Sequence, residues 1–175
     1  MPGKMVDFKA NGGTTQGYLA TPAAGKGPGL LVIQEWWGLV GHIKKVCDRF
    51  AAEGFSALAP DMYHGQTATE PDGAGKLFMA LNIAQAEKDL RGAAAALAPH
   101  SSTQKIGAVG FCMGGQLALF AATLNPSVGA TVNFYGIHPN VDHAFFNDDN
   151  TAAYNKAAAD DAWRRTLGHF RQHLK

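Results

Sequence analysis

Cysteine is scarce: only Cys47 and Cys112 occur in the 175 residues, which excludes a scaffold stapled by several disulfides. Excess charge of one sign is also missing. Fifteen basic residues against 14 acidic ones leave a formal net charge of +1, no electrostatic footprint for nucleic acid. Charged residues make up 17% of the chain and hydrophobic ones 46%, a balance that excludes a low-hydropathy disordered segment. No apolar run approaches the ~20 residues of a membrane span, so no membrane partner is expected. Met1-Pro2-Gly3-Lys4-Met5 carries one positive charge with no apolar stretch behind it. No signal peptide is therefore expected, and the protein reads as cytoplasmic. What is plentiful is glycine, with 21 residues beside eight prolines. A turn-rich single domain over residues 1–175 follows, long enough to bury one sizeable core.

Two short runs, Met5–Ala10 and Gln16–Thr21, flank Asn11-Gly12-Gly13 and predict a β-hairpin. Leu30-Leu31-Val32-Ile33 is apolar on both faces, as a buried parallel strand should be. Ile43, Val46, Cys47, Phe50 and Ala51 fall at helical spacing, and Gly54 ends that helix. Phe55–Ala59 predicts a second core strand, Gly73–Ala98 one alanine-rich helix, and Lys105–Gly110 a third strand. A helix over Gly115–Leu124, a fourth strand over Val128–Tyr135 and a last helix over Ala152–Leu174 complete the order. Tyr154, Ala158, Ala162, Thr166, Phe170 and Leu174 step by four along that last helix, flanked by Trp163 and Leu167. Strands alternating with helices predict an α/β layered domain with a mainly parallel sheet. A dinucleotide-binding sheet is disfavoured, because no Gly-x-Gly-x-x-Gly opens a helix after the first core strand.

The chemistry concentrates in Gly110-Phe111-Cys112-Met113-Gly114-Gly115, where a strand meets a helix through Gly-x-Cys-x-Gly, the thiol form of a nucleophile elbow. The glycines let strand and helix close up around a strained residue whose side chain stands above the sheet. The helix N-terminus favours a thiolate. Cys112 is the candidate nucleophile. Cys47, on the apolar stripe of a helix, reads as inert core.

A thiol needs a base, and seven histidines compete. His169 and His173 lie near the end of the last helix, His42 at a helix start, His100 in a polar loop and His64 in Met62-Tyr63-His64-Gly65. His143 lies in the short loop between the fourth strand and the last helix, at the sheet edge that carries Cys112. His138 shares that edge and is the runner-up. A metal site from His138, Asp142 and His143 lacks supporting ligand spacing, so no metal and no cofactor are expected. Glu35 directly follows four apolar strand residues and Gln34, where an uncompensated carboxylate would cost energy; it needs a partner.

Gln34-Glu35-Trp36-Trp37-Gly38, Ala59-Pro60-Asp61-Met62-Tyr63-His64-Gly65, Gly110-Phe111-Cys112-Met113-Gly114-Gly115 and Asp142-His143-Ala144-Phe145 together resemble the dienelactone hydrolase family of α/β-hydrolases. The resemblance runs from the N-terminal hairpin to the last helix. It implies a three-layer α/β-hydrolase-like sandwich with the Lys105–Gly110 strand placed centrally. It also implies Cys112 as nucleophile, His143 as general base, and Glu35 as the carboxylate that holds the thiol protonated at rest and helps ionise it when substrate arrives. The Trp36 N–H joins that of Met113 in the implied oxyanion hole.

Two departures from the family stand out. Family members order the triad Cys, Asp, His and carry the acid on a loop after a further strand. Here only 31 positions separate Cys112 from His143, and by comparison with the family roughly fifty residues, including two outer strands and that loop, are absent. The sheet is therefore expected to be truncated at one edge, the triad acid has no assigned residue, and the fourth strand becomes an apolar edge open to self-association. Asp148 and Asp149 are nearby in sequence as replacement acids, whereas Asp142, the immediate neighbour of His143, is poorly placed to reach its own i+1 imidazole. The second departure is Asn147, which stands four residues after His143 where the family has an arginine that helps clamp a substrate carboxylate. The expectation is thus a cofactor-free hydrolase of small esters or lactones acting through an acyl-thioester, weakened by the missing acid. A catalytically impaired relative that binds a ligand or a partner is the alternative, and redox sensing through Cys112 a third possibility.

Overall fold

Two antiparallel strands, β1 (Lys4–Ala10) and β2 (Gly13–Ala20), open the chain. The turn between them passes through Gly12 at φ 76°, a left-handed conformation that glycine adopts without a Cβ penalty. A computed structural model describes residues 2–10, 12–134 and 143–175 of the protein. Four parallel strands follow the hairpin: β3 (Gly29–Ile33), β4 (Ser56–Pro60), β5 (Ile106–Phe111) and β6 (Val128–Phe134). Among the described residues they join one six-stranded sheet in the order β1-β2-β4-β3-β5-β6, with β2 antiparallel to β4.

The alternation of side chains divides the core between two faces. Leu30 and Val32 of β3, Ala57 and Ala59 of β4, and Val109 and Phe111 of β5 point to one side. There they meet α1 (Gly41–Ala52) and α5 (Lys156–His173) through Ile43, Phe50, Leu167 and Phe170. Leu31, Ile33, Leu58 and Ala108 point to the other, where α3 (Ile83–Leu97) and α4 (Met113–Leu124) cover them with Leu90, Leu97, Leu117 and Ala118. Helices on both faces of a mainly parallel sheet make the three-layer sandwich, with the loops after each strand gathered at its carboxyl edge.

Three sequence expectations need correction. The single helix over Gly73–Ala98 is two helices, α2 (Pro71–Ala80) and α3, followed by a short 3₁₀ turn over Ala98–His100. Leu81 is extended at φ −61° and ψ 116°, and the Asn82 side chain accepts the Gln85 N–H at 3.0 Å. A cap of that kind competes with helix continuation, and alanine spacing does not report it. The last helix starts at Lys156 rather than Ala152. Asn155 caps it by accepting the Ala158 N–H at 3.0 Å, and Tyr154 stays outside it, 36% exposed. Finally, β5 is interior, with β3 on one side and β6 on the other, yet it lies one strand from the sheet edge rather than at the centre. The strands that would extend the sheet beyond β6 are absent among the described residues. Tyr135, the expected last residue of the fourth strand, lies outside the described residues.

Candidate active site

The turn from β5 into α4 is shaped by what cannot fit there. A Cβ on Gly110 would overlap the Gly114 carbonyl, and one on Gly114 would press on the carbonyl oxygens of Ile33 and Gln34. Between these glycines Cys112 adopts φ 56° and ψ −122°, a strained conformation for a residue with a side chain. Its side chain is half-buried at the start of α4. The backbone N–H groups of Met113 and Trp36 both lie near this sulfur. Burial pushes the Cys112 thiol up and the Met113 N–H opposes that rise; the Glu35 charge adds to it and the Trp36 N–H opposes it again.

Glu35 sits beneath this arrangement, 2% exposed. Burial pushes its carboxyl up to about 7, since a carboxylate loses hydration that little here replaces. The partner its position demands is Asn147, whose Nδ2 donates to Glu35 Oε2 at 3.2 Å and holds the rise back. The two residues stand 112 positions apart, so no local pattern links them. The usable signals were a carboxylate in need of a partner and the place of Asn147 four residues after His143. Trp36 and Trp37 are only half-buried and meet edge to face, with centroids 5.2 Å apart.

His143 is exposed and begins the turn over residues 143–146. The turn is anchored just behind it. Phe146 is 1% exposed and lies 4.9 Å from the Phe134 ring and 5.6 Å from the Phe111 ring. The Arg49 guanidinium lies over Phe146 and over Trp163 of α5, which fixes the turn to both outer helices. The runner-up His138, and Asp142 of the metal alternative, lie outside the described residues. Among the described residues no group of three or more His, Cys, Asp or Glu could hold a metal ion.

The two candidate replacement acids point to α1. Asp148 Oδ1 is 3.7 Å from His42 Nδ1, and Asp149 pairs with Lys45 at 2.5 Å. Cys47 is fully buried and its thiol is pushed well up by burial. Tyr63, which sequence reasoning did not single out, donates its hydroxyl to Met113 Sδ at 3.1 Å and so steadies the residue after Cys112. Burial, with a smaller effect of Cys112, pushes its phenol up to about 12. As a whole, the site places a thiol, two backbone N–H groups and a carboxyl of raised proton affinity together, an arrangement that can serve acyl transfer at a carbonyl.

Known proteins share the sequence pattern and the fold. The model of the dienelactone hydrolase family matches in two stretches, residues 15–139 and 137–174. They meet between β6 and His143, the stretch in which the family resemblance implies that residues are absent. Protein usf of Aquifex pyrophilus is 33% identical over 230 residues, covering 98% of this chain and 99% of that protein. An alignment of 230 positions against a chain of 175 leaves at least 55 without a counterpart here. A protein of Aquifex aeolicus named carboxymethylenebutenolidase is 42% identical over 144 residues, 77% of this chain but 62% of its own length. In fold, the chain is similar to the dienelactone hydrolase-like promiscuous phosphotriesterase from metagenomic libraries. Its TM-score is 0.87 at 20% identity, covering 99% of this chain and 98% of that one. No helix among the described residues is long and apolar enough to cross a membrane. With its family model matched along nearly its whole length, the chain belongs to the dienelactone hydrolase family of hydrolases.

Proposed function

We propose that this protein hydrolyses small esters or lactones through a thioester at Cys112. The observation that carries the reading is the strained, half-buried Cys112 at the start of α4, with the backbone N–H groups of Met113 and Trp36 near its sulfur and the buried carboxyl of Glu35 beside it. At rest the Glu35 charge disfavours a second anion next to it, and the thiol keeps its proton. When substrate arrives, His143 takes that proton, with Glu35 assisting. The thiolate then adds to the carbonyl carbon, and the oxyanion moves into the place between the two N–H groups. The bond to the alkoxy oxygen breaks, His143 returns the proton to the leaving alcohol, and the acyl group stays on sulfur. Water, deprotonated by His143, attacks the thioester, releases the acid and regenerates the thiol.

The protein's own relatives support a small carbonyl substrate, and Asn147 selects within that class. A neutral amide turned toward Glu35 cannot clamp a substrate carboxylate as an arginine would, so uncharged esters and lactones fit better than anionic ones. The test is turnover of p-nitrophenyl acetate with quenched-flow mass spectrometry. An acetyl group on Cys112 of the wild type, and neither adduct nor turnover in Cys112→Ala, is the expected result. Equal slow rates in both proteins would leave an inert family member that binds rather than catalyses.

A further inference from the structure

β6 forms one rim of the sheet, with β5 on its inner side and no strand beyond it among the described residues. The Phe134 carbonyl faces β5, where it accepts the Cys112 N–H at 3.1 Å. Backbone direction alternates along a strand. The N–H and C=O groups of Thr131 and Asn133 therefore face outward, and among the described residues no strand or loop backbone pairs with them. An open edge of this kind invites another strand unless it is guarded.

The opposite rim is guarded: β1 exposes Lys4, Asp7 and Lys9. β6 has no such charges, for no Lys, Arg, Asp or Glu occurs between Lys105 and Asp142. The irregularity in its pairing lies at its start, opposite Ile106 and Gly107, and leaves the stretch around Val132 regular. The helix beside this rim is uncharged too. Leu119 of α4 is 49% exposed. It stands one turn beyond Gly115, where a Cβ would overlap the Asn133 amide. A helix without a charged face is ordinarily covered. The rim also adjoins the point where the two matched stretches of the family model meet, and the Aquifex pyrophilus relative has at least 55 positions that this chain lacks.

We infer that β6 pairs antiparallel with β6 of a second copy of this chain, about a twofold axis at Val132, joining two sheets into one. Thr131 of one copy faces Asn133 of the other, and the two exchange the N–H···O=C bonds that each rim leaves open. Val132 meets its own image between them. A second copy fits because the rim is self-complementary, with no charge to repel its image or to select a charged partner. Seven residues extend about 23 Å, and with a helix layer on either side of the sheet the joined faces cover about 500–600 Å² per copy. The total of about 1,000–1,200 Å² reaches the range of specific, reversible interfaces. Association closes at two copies, since the other rim is charged.

Sedimentation velocity of the full chain from about 1 to 200 µM should show monomer passing to dimer and nothing larger. Thr131→Lys, which gives this rim the guard that β1 has, should weaken the dimer at least about tenfold. Mild oxidation in Cys112→Ala protein, where the remaining Cys47 is buried, reads the register. Val132→Cys should form a disulfide-linked dimer, because facing residues of a pair without hydrogen bonds stand about 4.5 Å apart, within disulfide reach. Asn133→Cys, two residues out of step with its image, should link far more slowly. Val132→Cys is a small change and keeps the test decisive should Thr131→Lys fail to fold. A monomer at every concentration, species larger than a dimer, an unweakened dimer in folded Thr131→Lys, or faster linking through Asn133→Cys overturns the pairing. Neither measurement uses turnover, so its outcome is separate from that of the hydrolase reading.

Discussion

Glu35 should make the fold less stable as pH rises, and Glu35→Gln should remove that loss. Its carboxyl moves from an ordinary 4.5 to about 7 on folding because burial strips its hydration and the Asn147 amide offsets only part of that loss. At 1.36 kcal/mol per unit, that difference amounts to about 3 kcal/mol between the two protonation states. Below 4.5 both folded and unfolded chains hold the proton, and Glu35 contributes no penalty. Between 4.5 and about 7 the folded chain binds a proton that the unfolded chain has released, so stability falls with pH. Above about 7 the carboxyl is ionised in both states, and the full cost of the buried charge remains. The amide that Glu35→Gln introduces would keep an oxygen to accept from Asn147 and carries no charge. Urea unfolding at about pH 4.5, 6 and 8 should therefore show Glu35→Gln equal to wild type at the lowest pH. At the highest it should be more stable by about 3 kcal/mol, or about 6–12 °C in Tm for a domain of this size. A variant no more stable than wild type at about pH 8 would refute the premise that Glu35 is ionised in a dry site.

The same substitution should lower the ionisation point of Cys112, because the Glu35 charge is one of the causes that raise it; the ultraviolet absorbance of the thiolate across pH reads this directly. Ester turnover in the wild type should rise with pH as the thiolate grows, and both Cys112→Ala and His143→Ala should abolish it. Cys112→Gly should be inactive yet more stable by about 1 kcal/mol in chemical denaturation, since glycine relieves the strain at φ 56°. Gly110→Ala has no room beside the Gly114 carbonyl and should cost about 3 kcal/mol or more, read as loss of cooperative unfolding. Asp148→Ala should leave kcat/KM almost unchanged, and a large loss with the fold intact would show that Asp148 replaces the missing acid.

Features with local causes are legible in the amino-acid order alone. Four strands and their helices could be read because Leu30–Ile33 or Ile106–Phe111 must hide both faces, and because apolar spacing on α1 defines its buried side. The elbow is legible for the same reason: Gly110 and Gly114 are required by atoms within a few residues of Cys112 and by the adjacent β3 edge. Where a cap rather than a pattern decides, as at Asn82 and Asn155, the expected boundaries miss, since a short amide can cap a helix or continue it with little difference in propensity. The pairings across the chain come from packing. Asn147 meets Glu35, Tyr63 meets Met113, and His64 meets Asp89 because the loops of separate βα units converge at one sheet edge. Packing also sets β5 one strand from the rim and β6 at it. The sequence names a carboxylate at position 35, but its proton affinity depends on how much water the fold removes from it, and burial is a property of the whole packed molecule.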